Sequence, residues 1–136
     1  MIDHDVMQVM VYDDDRSIRE TLSCMLRKVY GFHRIETEDN IFGLRIDLAI
    51  NRPRLLILDY MYEGGLNLNF VSEVLRNYKG CGIIYSSVDK EVIQKELGPL
   101  PENFRIVKKG NVHKLKSVIT MFMTSEAYFR FSLLSN

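Results

Sequence analysis

This chain has no excess of charge of either sign. Eighteen basic residues stand against eighteen acidic ones over 136 residues. That balance excludes a general attraction to nucleic acid or to an anionic membrane, so any functional electrostatics must be local. Cysteine is scarce as well. Cys24 and Cys81 can build neither a disulfide framework nor a metal cluster, and both read as reduced, partly buried thiols. No apolar stretch is long enough to span a bilayer. The acidic start, Met1-Ile2-Asp3-His4-Asp5, lacks the basic residues and apolar core of a signal peptide. The expected location is therefore the cytoplasm. No G-x-G-x-x-G, Walker or G-x-S-x-G motif occurs, and His4, His33 and His113 lack the spacing of metal ligands. Repeats, low-complexity stretches and linkers are absent too.

What is present is a soluble globular composition, 46% hydrophobic and 26% charged. A chain of this size buries about two-thirds of the surface it exposes unfolded, so it needs no staple to fold. One domain over residues 1–136 is expected. The apolar pattern alternates between two periods. Val6 to Tyr12 is a nearly continuous apolar run short enough for a buried strand, followed by Asp13-Asp14-Asp15. Ile18, Leu22, Met25, Leu26 and Val29 then recur at helical spacing, with Asp15 or Ser17 as N-cap and Gly31 as C-cap. A short strand over His33–Thr37 and a weaker helix over Asn40–Asn51 follow, the latter stopped by Pro53.

Leu55 to Leu58 reads as the third strand and ends on Asp59; a loop with Gly64-Gly65 comes next. Leu68 to Tyr78 is helical, Gly82 to Ser86 a strand, and Asp89 to Leu97 a short helix before Gly98-Pro99. Phe104 to Lys108 is the fifth strand, and Asn111 caps a last helix that the pattern carries toward Phe129. Five strand–helix repeats with short connections define a doubly wound α/β domain around a parallel sheet. Ligand sites in such sheets lie beyond the carboxyl ends of the strands. That edge carries Asp13, Asp14 and Asp15, Asp59, Ser86 and Ser87, and Lys108 and Lys109.

The charges at this edge constrain its chemistry. Two like charges at ~4 Å repel by about 4 kcal/mol at an effective dielectric near 20. A fold does not converge Asp13, Asp14 and Asp59 for stability. A divalent cation relieves the repulsion, and oxygen ligands suit Mg²⁺. Lys108 adds a positive charge and Ser86 a hydroxyl donor. The set describes a site for a small, highly charged anion such as a phosphoryl group.

VMVYDDD at the first strand, LLILDYM at the third, IIYSS at the fourth and RIVKK at the fifth resemble the receiver domain of two-component response regulators, of the single-domain, chemotaxis type. The resemblance runs from about Val6 to the middle of the last helix. It implies a flavodoxin-like strand order 2-1-3-4-5 with helices on both faces. It implies that Asp59 is the phosphoacceptor, phosphorylated by a histidine kinase or phosphotransfer protein. Asp13 and Asp14 would hold Mg²⁺ with Asp59 and the backbone carbonyl of Met61. Lys108, favoured over Lys109 by register, would contact a phosphoryl oxygen, and the Ser86 hydroxyl another. The readout would be binding to a downstream protein.

Departures from that pattern are equally specific. Glu63 replaces the usual proline after the acceptor, and Asn67 a usual glycine. Lys109 replaces the usual proline after the lysine, which makes a cis bond there costly, ~3 kcal/mol. Arg105 stands where a switching Tyr or Phe is usual. Met61 and Val88 occupy two positions that tune phosphoryl lifetime in the family; being apolar, they predict a long-lived phosphorylated form. Residues 127–136, aromatic and apolar, extend past a typical receiver. They are expected to continue the last helix, to pack on the domain, or to form a homodimer surface.

Three other functions compete. An aspartate-nucleophile phosphatase of the haloacid dehalogenase type could use Asp13-x-Asp15, but Ser17 departs from its motif and no cap domain is present. A flavodoxin-like cofactor binder is disfavoured because three carboxylates repel a phosphate. A degenerate receiver, working as a binding module without phosphorylation, fits Glu63, Asn67, Lys109 and Arg105.

Overall fold

Short apolar runs become strands where both their faces can be buried, and here they line up in parallel. The computed structural model describes residues 8–62, 65–66 and 68–124. The main elements are β1 (Val9–Tyr12), α1 (Arg16–Tyr30), β2 (Ile35–Glu38), α2 (Ile41–Asn51) and β3 (Leu55–Leu58). They continue with α3 (Leu68–Asn77), β4 (Cys81–Ser86), α4 (Lys90–Leu97), β5 (Phe104–Lys108) and α5 (Val112–Met123). The sheet order is β2-β1-β3-β4-β5, every pair parallel. This is the expected doubly wound, flavodoxin-like order. A two-residue antiparallel ribbon, Met61–Tyr62 with Gly65–Leu66, interrupts the β3–α3 connection. The sequence pattern reads only as a loop there, because two-residue strands have no periodicity to detect.

Alternation along the strands divides the core into two layers. Val9, Val11, Leu55, Ile57, Ile83, Tyr85 and Val107 face α1 and α5, where Leu22, Leu26, Leu115 and Ile119 meet them. Met10, Leu56, Leu58, Ile84, Phe104 and Ile106 face the other side, against Leu44 of α2, Phe70, Val71 and Val74 of α3 and Ile93 of α4. Each such side chain contributes roughly 1.5–3 kcal/mol when fully buried. Two inner layers on one sheet are what make the strands apolar throughout rather than alternating.

Local signals set most boundaries. Asp15 caps α1 by accepting from the Ser17 amide at 2.9 Å, and Gly31 closes it. Asn40 caps α2, accepting from the Phe42 amide at 2.8 Å. Asn111 caps α5, accepting from the Lys114 amide at 3.1 Å. Three expectations shift. The second strand begins at Ile35, since the His33 and Arg34 amides are taken by the Gln8 side-chain carbonyl at 2.8 and 3.0 Å. Val29 is exposed, because the buried stripe of α1 runs Leu22–Leu26 toward Tyr30 and leaves Val29 on its flank. Cys24 is exposed while Cys81 is buried. The helix described as α5 ends at Met123; its expected continuation to Phe129 and the segment 127–136 lie outside the described residues. Among the described residues no helix is long and apolar enough to cross a membrane.

Gly82 of β4 shows how closely the layers fit. A methyl group there would run into the ring of Phe104, itself 1% exposed. Gly82→Ala is expected to destabilise the fold by about 1–3 kcal/mol through overpacking. Urea unfolding checks this; a midpoint unchanged from the parent would contradict it.

Candidate functional site

The carboxyl edge of the sheet is where apolar strands end on charge. Tyr12 pairs with Leu58 across β1 and β3, so Asp13 and Asp59 leave the sheet side by side. The Asp59 amide donates to the Tyr12 carbonyl at 2.9 Å, which extends the ladder into the site. Both carboxylates are buried, Asp13 2% and Asp59 3% exposed, while Asp14 is exposed. One oxygen from each of Asp13, Asp14 and Asp59 lies within 4.8 Å of the others. Asp13 is further fixed from its own neighbourhood. Its Oδ1 accepts from the Asp15 amide at 2.9 Å, and its carbonyl accepts from Arg19 Nη1 at 2.8 Å.

The cation facing this cluster is Lys109. Its Nζ lies 2.9 Å from Asp13 Oδ2 and 3.2 Å from Asp59 Oδ2. Lys108, the residue expected by register, turns away and pairs with Asp89 at the start of α4. The reason is strand alternation. Val11 leads to Asp13, Ile57 to Asp59 and Val107 to Lys109, all on the layer facing α1 and α5. Ile106 leads to Lys108 on the opposite layer. The Lys109 amide then donates to the Ser86 carbonyl at 2.8 Å, which carries the β4–β5 pairing one residue past Lys108. Every peptide bond among the described residues is trans, including the one after Lys108.

Ser86 is fully buried, and its Oγ accepts from the Val88 amide at 3.1 Å. It borders the site through β4 while its hydroxyl is engaged toward α4. Met61 sits two residues beyond Asp59 in the ribbon, whereas Glu63, Gly64 and Asn67 lie outside the described residues. Arg105 faces outward: its Nη1 donates to the Glu102 and Phe104 carbonyls at 2.7 and 2.8 Å, and its guanidinium stands 5.9 Å from the Phe122 ring centroid. One contact escaped the sequence pattern entirely. The Tyr85 hydroxyl accepts from the Gly110 amide at 3.0 Å, tying β4 to the turn that carries Lys109. Only the adjacency of β4 and β5 could have signalled it.

Burial sets the electrostatics. It pushes the Asp13 carboxyl above the ordinary aspartate range, and Lys109 with the Asp15 amide offsets that only in part. Burial also works against the Lys109 ammonium, but Asp13 and Asp59 outweigh it and hold its pKa above the usual lysine value. The Tyr12 hydroxyl is pushed up by burial and then by Asp14 and Asp59. The donor set is all oxygen with excess negative charge, which fits a hard divalent cation such as Mg²⁺.

Solved receiver domains share this fold. The signal receiver domain of a DNA-binding response regulator from Colwellia psychrerythraea 34H superposes with a TM-score of 0.73 at 17% identity, over 88% of this chain and 99% of that one. An N-terminal receiver domain from Bacteroides fragilis gives 0.71 at 15% identity, over 89% and 99%. The BeF3-activated receiver domain of Klebsiella pneumoniae RstA gives 0.69 at 16%, over 87% and 99%. In sequence, the phosphate regulon transcriptional regulatory protein PhoB of Escherichia coli K12 is 31% identical over 74 residues, 51% of this chain. The chain matches only 29% of that relative's length. No family profile matches. The chain therefore has the fold of response-regulator receiver domains.

A buried carboxyl with a raised pKa binds its proton more tightly in the folded state, so its ionisation costs stability as pH rises. Asp13→Asn, which leaves Lys109 its partner Asp59, is expected to be more stable than the parent at neutral pH by about 1 kcal/mol. The gap should close as pH falls toward the ordinary aspartate value of 3.8. Urea unfolding of both chains across that window measures it, and a gap that widens on acidification would overturn the reading.

Proposed function

We propose that this chain is the phosphoacceptor receiver of a two-component phosphorelay, phosphorylated on Asp59. The supporting observation is the buried Asp59 carboxylate set against Asp13, Asp14 and Lys109 at the carboxyl edge of the sheet. An Asp59 oxygen attacks the phosphorus of a phosphohistidine on a histidine kinase or phosphotransfer protein. The new O–P bond forms as the donor's N–P bond breaks, and the imidazole takes the leaving electron pair. Catalysis of this kind is mostly positioning and charge neutralisation. Asp13, Asp14 and Asp59, with the Met61 backbone carbonyl, would hold Mg²⁺, which supplies positive charge to the phosphoryl oxygens. Lys109, rather than Lys108, would pair with a phosphoryl oxygen. Ser86 would offer its hydroxyl to another after giving up the Val88 amide.

The protein is then a switch and not an enzyme with turnover on a foreign substrate. It works in the cytoplasm and is read by a downstream protein rather than by nucleic acid or membrane; a homodimer through α5 and the 127–136 segment is a second readout. The domain is single over 1–136, with that segment as its extension.

Mg²⁺-dependent labelling with a small-molecule acyl phosphodonor tests this. The parent should be labelled and Asp59→Asn should not. Lys109→Ala should lose roughly 10²-fold in rate, as for removal of one preorganised electrostatic group, while Lys108→Ala stays near the parent. Label persisting in Asp59→Asn would refute the acceptor. Label that follows Asp13 instead would support the phosphatase reading, and an unlabelled parent that still binds partners would support a degenerate receiver.

Val88 is apolar and packs against the inner layer beside α4, and with Met61 it offers no polar group to align a hydrolytic water. The labelled protein is expected to keep its phosphoryl group for many minutes after donor removal. Loss within seconds would sink this expectation.

A further inference from the structure

We infer that Tyr85 is a positioning residue for Lys109, acting through the turn between β5 and α5. The inference rests on the proposed role of Lys109 in phosphoryl transfer and deepens it. Lys109 and Gly110 follow the last paired residue of β5, and two consecutive residues of β4 hold them. The Ser86 carbonyl accepts from the Lys109 amide at 2.8 Å, and the Tyr85 hydroxyl accepts from the Gly110 amide at 3.0 Å. Within the turn, the Asn111 amide donates to the Lys108 carbonyl and the Val112 amide to the Gly110 carbonyl, both at 3.0 Å, which leaves the Lys109 and Gly110 amides to β4. Gly110 has φ of +92°, a region that side chains other than glycine rarely adopt. Open space surrounds the position where its Cβ would sit, so packing does not fix it.

Tyr85, by contrast, is fixed. It is 5% exposed within the layer formed by Val107, Leu115 and Ile119, so its hydroxyl is delivered from a rigid ring. Lys109 needs such help. It is a long, flexible side chain that loses considerable rotamer freedom when held in one place, yet it is only 20% exposed and spans two carboxylates. A backbone anchored on both sides of its Cα reduces the freedom left to lose. Tyr85 touches neither carboxylate in these contacts, so its effect on the site runs through Lys109.

Tyr85→Phe removes the acceptor and keeps the ring. Two measurements on the full chain then decide the inference. By NMR, without metal or phosphodonor, the Gly110 amide should exchange about tenfold faster, as for a lost hydrogen bond, and the Lys109 side chain should lose order. Unchanged Lys109 order would overturn the inference whatever the labelling shows. By labelling with the acyl phosphodonor and Mg²⁺, Tyr85→Phe should be several-fold slower than the parent, and should add nothing in the Lys109→Ala background. An equal slowing in both backgrounds would also overturn it. Ile35→Val, a core change at the far end of the sheet, controls for lost stability and should label like the parent. If the parent is not labelled at all, the phosphoacceptor reading fails, and the NMR comparison still decides whether Tyr85 positions Lys109.

Discussion

Three carboxylates gathered at one edge, with one ammonium between two of them, are the constraint around which this structure is built. Nothing in folding alone favours that cluster. Asp13 and Asp59 are buried side by side, and their repulsion is several kcal/mol even at moderate effective dielectric. Burial raises the Asp13 pKa, and Lys109 offsets that only in part. The rest of the fold holds the cluster in place. Apolar strands buried on both faces fix Asp13 and Asp59 in register, and the caps around α1 fix Asp13 from the other side. A strained site on a rigid scaffold is the usual relation between stability and function.

Much of this was legible in the sequence for a physical reason. Strands buried on both faces read as continuous apolar runs, and LLIL before Asp59 and VMVY before Asp13 are such runs. Strand ends and caps then followed from charge, Asn and Gly. Register favours Lys108, yet Lys109 faces the carboxylates, because counting to the end of the strand ignores parity. Asp13, Asp59 and Lys109 each sit two residues past an apolar residue of the same layer, Val11, Ile57 and Val107. Applied to RIVKK, the period of two pairs Lys108 with Ile106 and Lys109 with Val107, and the layer that Val107 shares with Val11 and Ile57 selects Lys109. The Tyr85–Gly110 bond had no such signal, since it joins residues 25 apart through the order of the strands. The Met61–Tyr62 and Gly65–Leu66 ribbon was likewise invisible, being too short to show a period.

Parity also explains what Lys108 does instead. Facing the other layer, it meets Asp89, the N-cap residue of α4. Asp89 makes no side-chain capping bond to its own helix, in contrast to Asp15, Asn40 and Asn111. The Asp89 carbonyl accepts from the Val92 and Ile93 amides at 3.1 Å, and the approach to α4 is further tied to the sheet. Lys108 of β5 holds the Asp89 carboxylate, and Ser86 of β4 holds the Val88 amide. The first turn of α4 is thus tethered to the same two strand ends that border the acidic site. On the proposed function, a turn of the Ser86 side chain toward Asp59 would give up the bond to Val88 and loosen the entry to α4. Under that proposal, two positions of one hydroxyl would define the two states without an aromatic switch at Arg105.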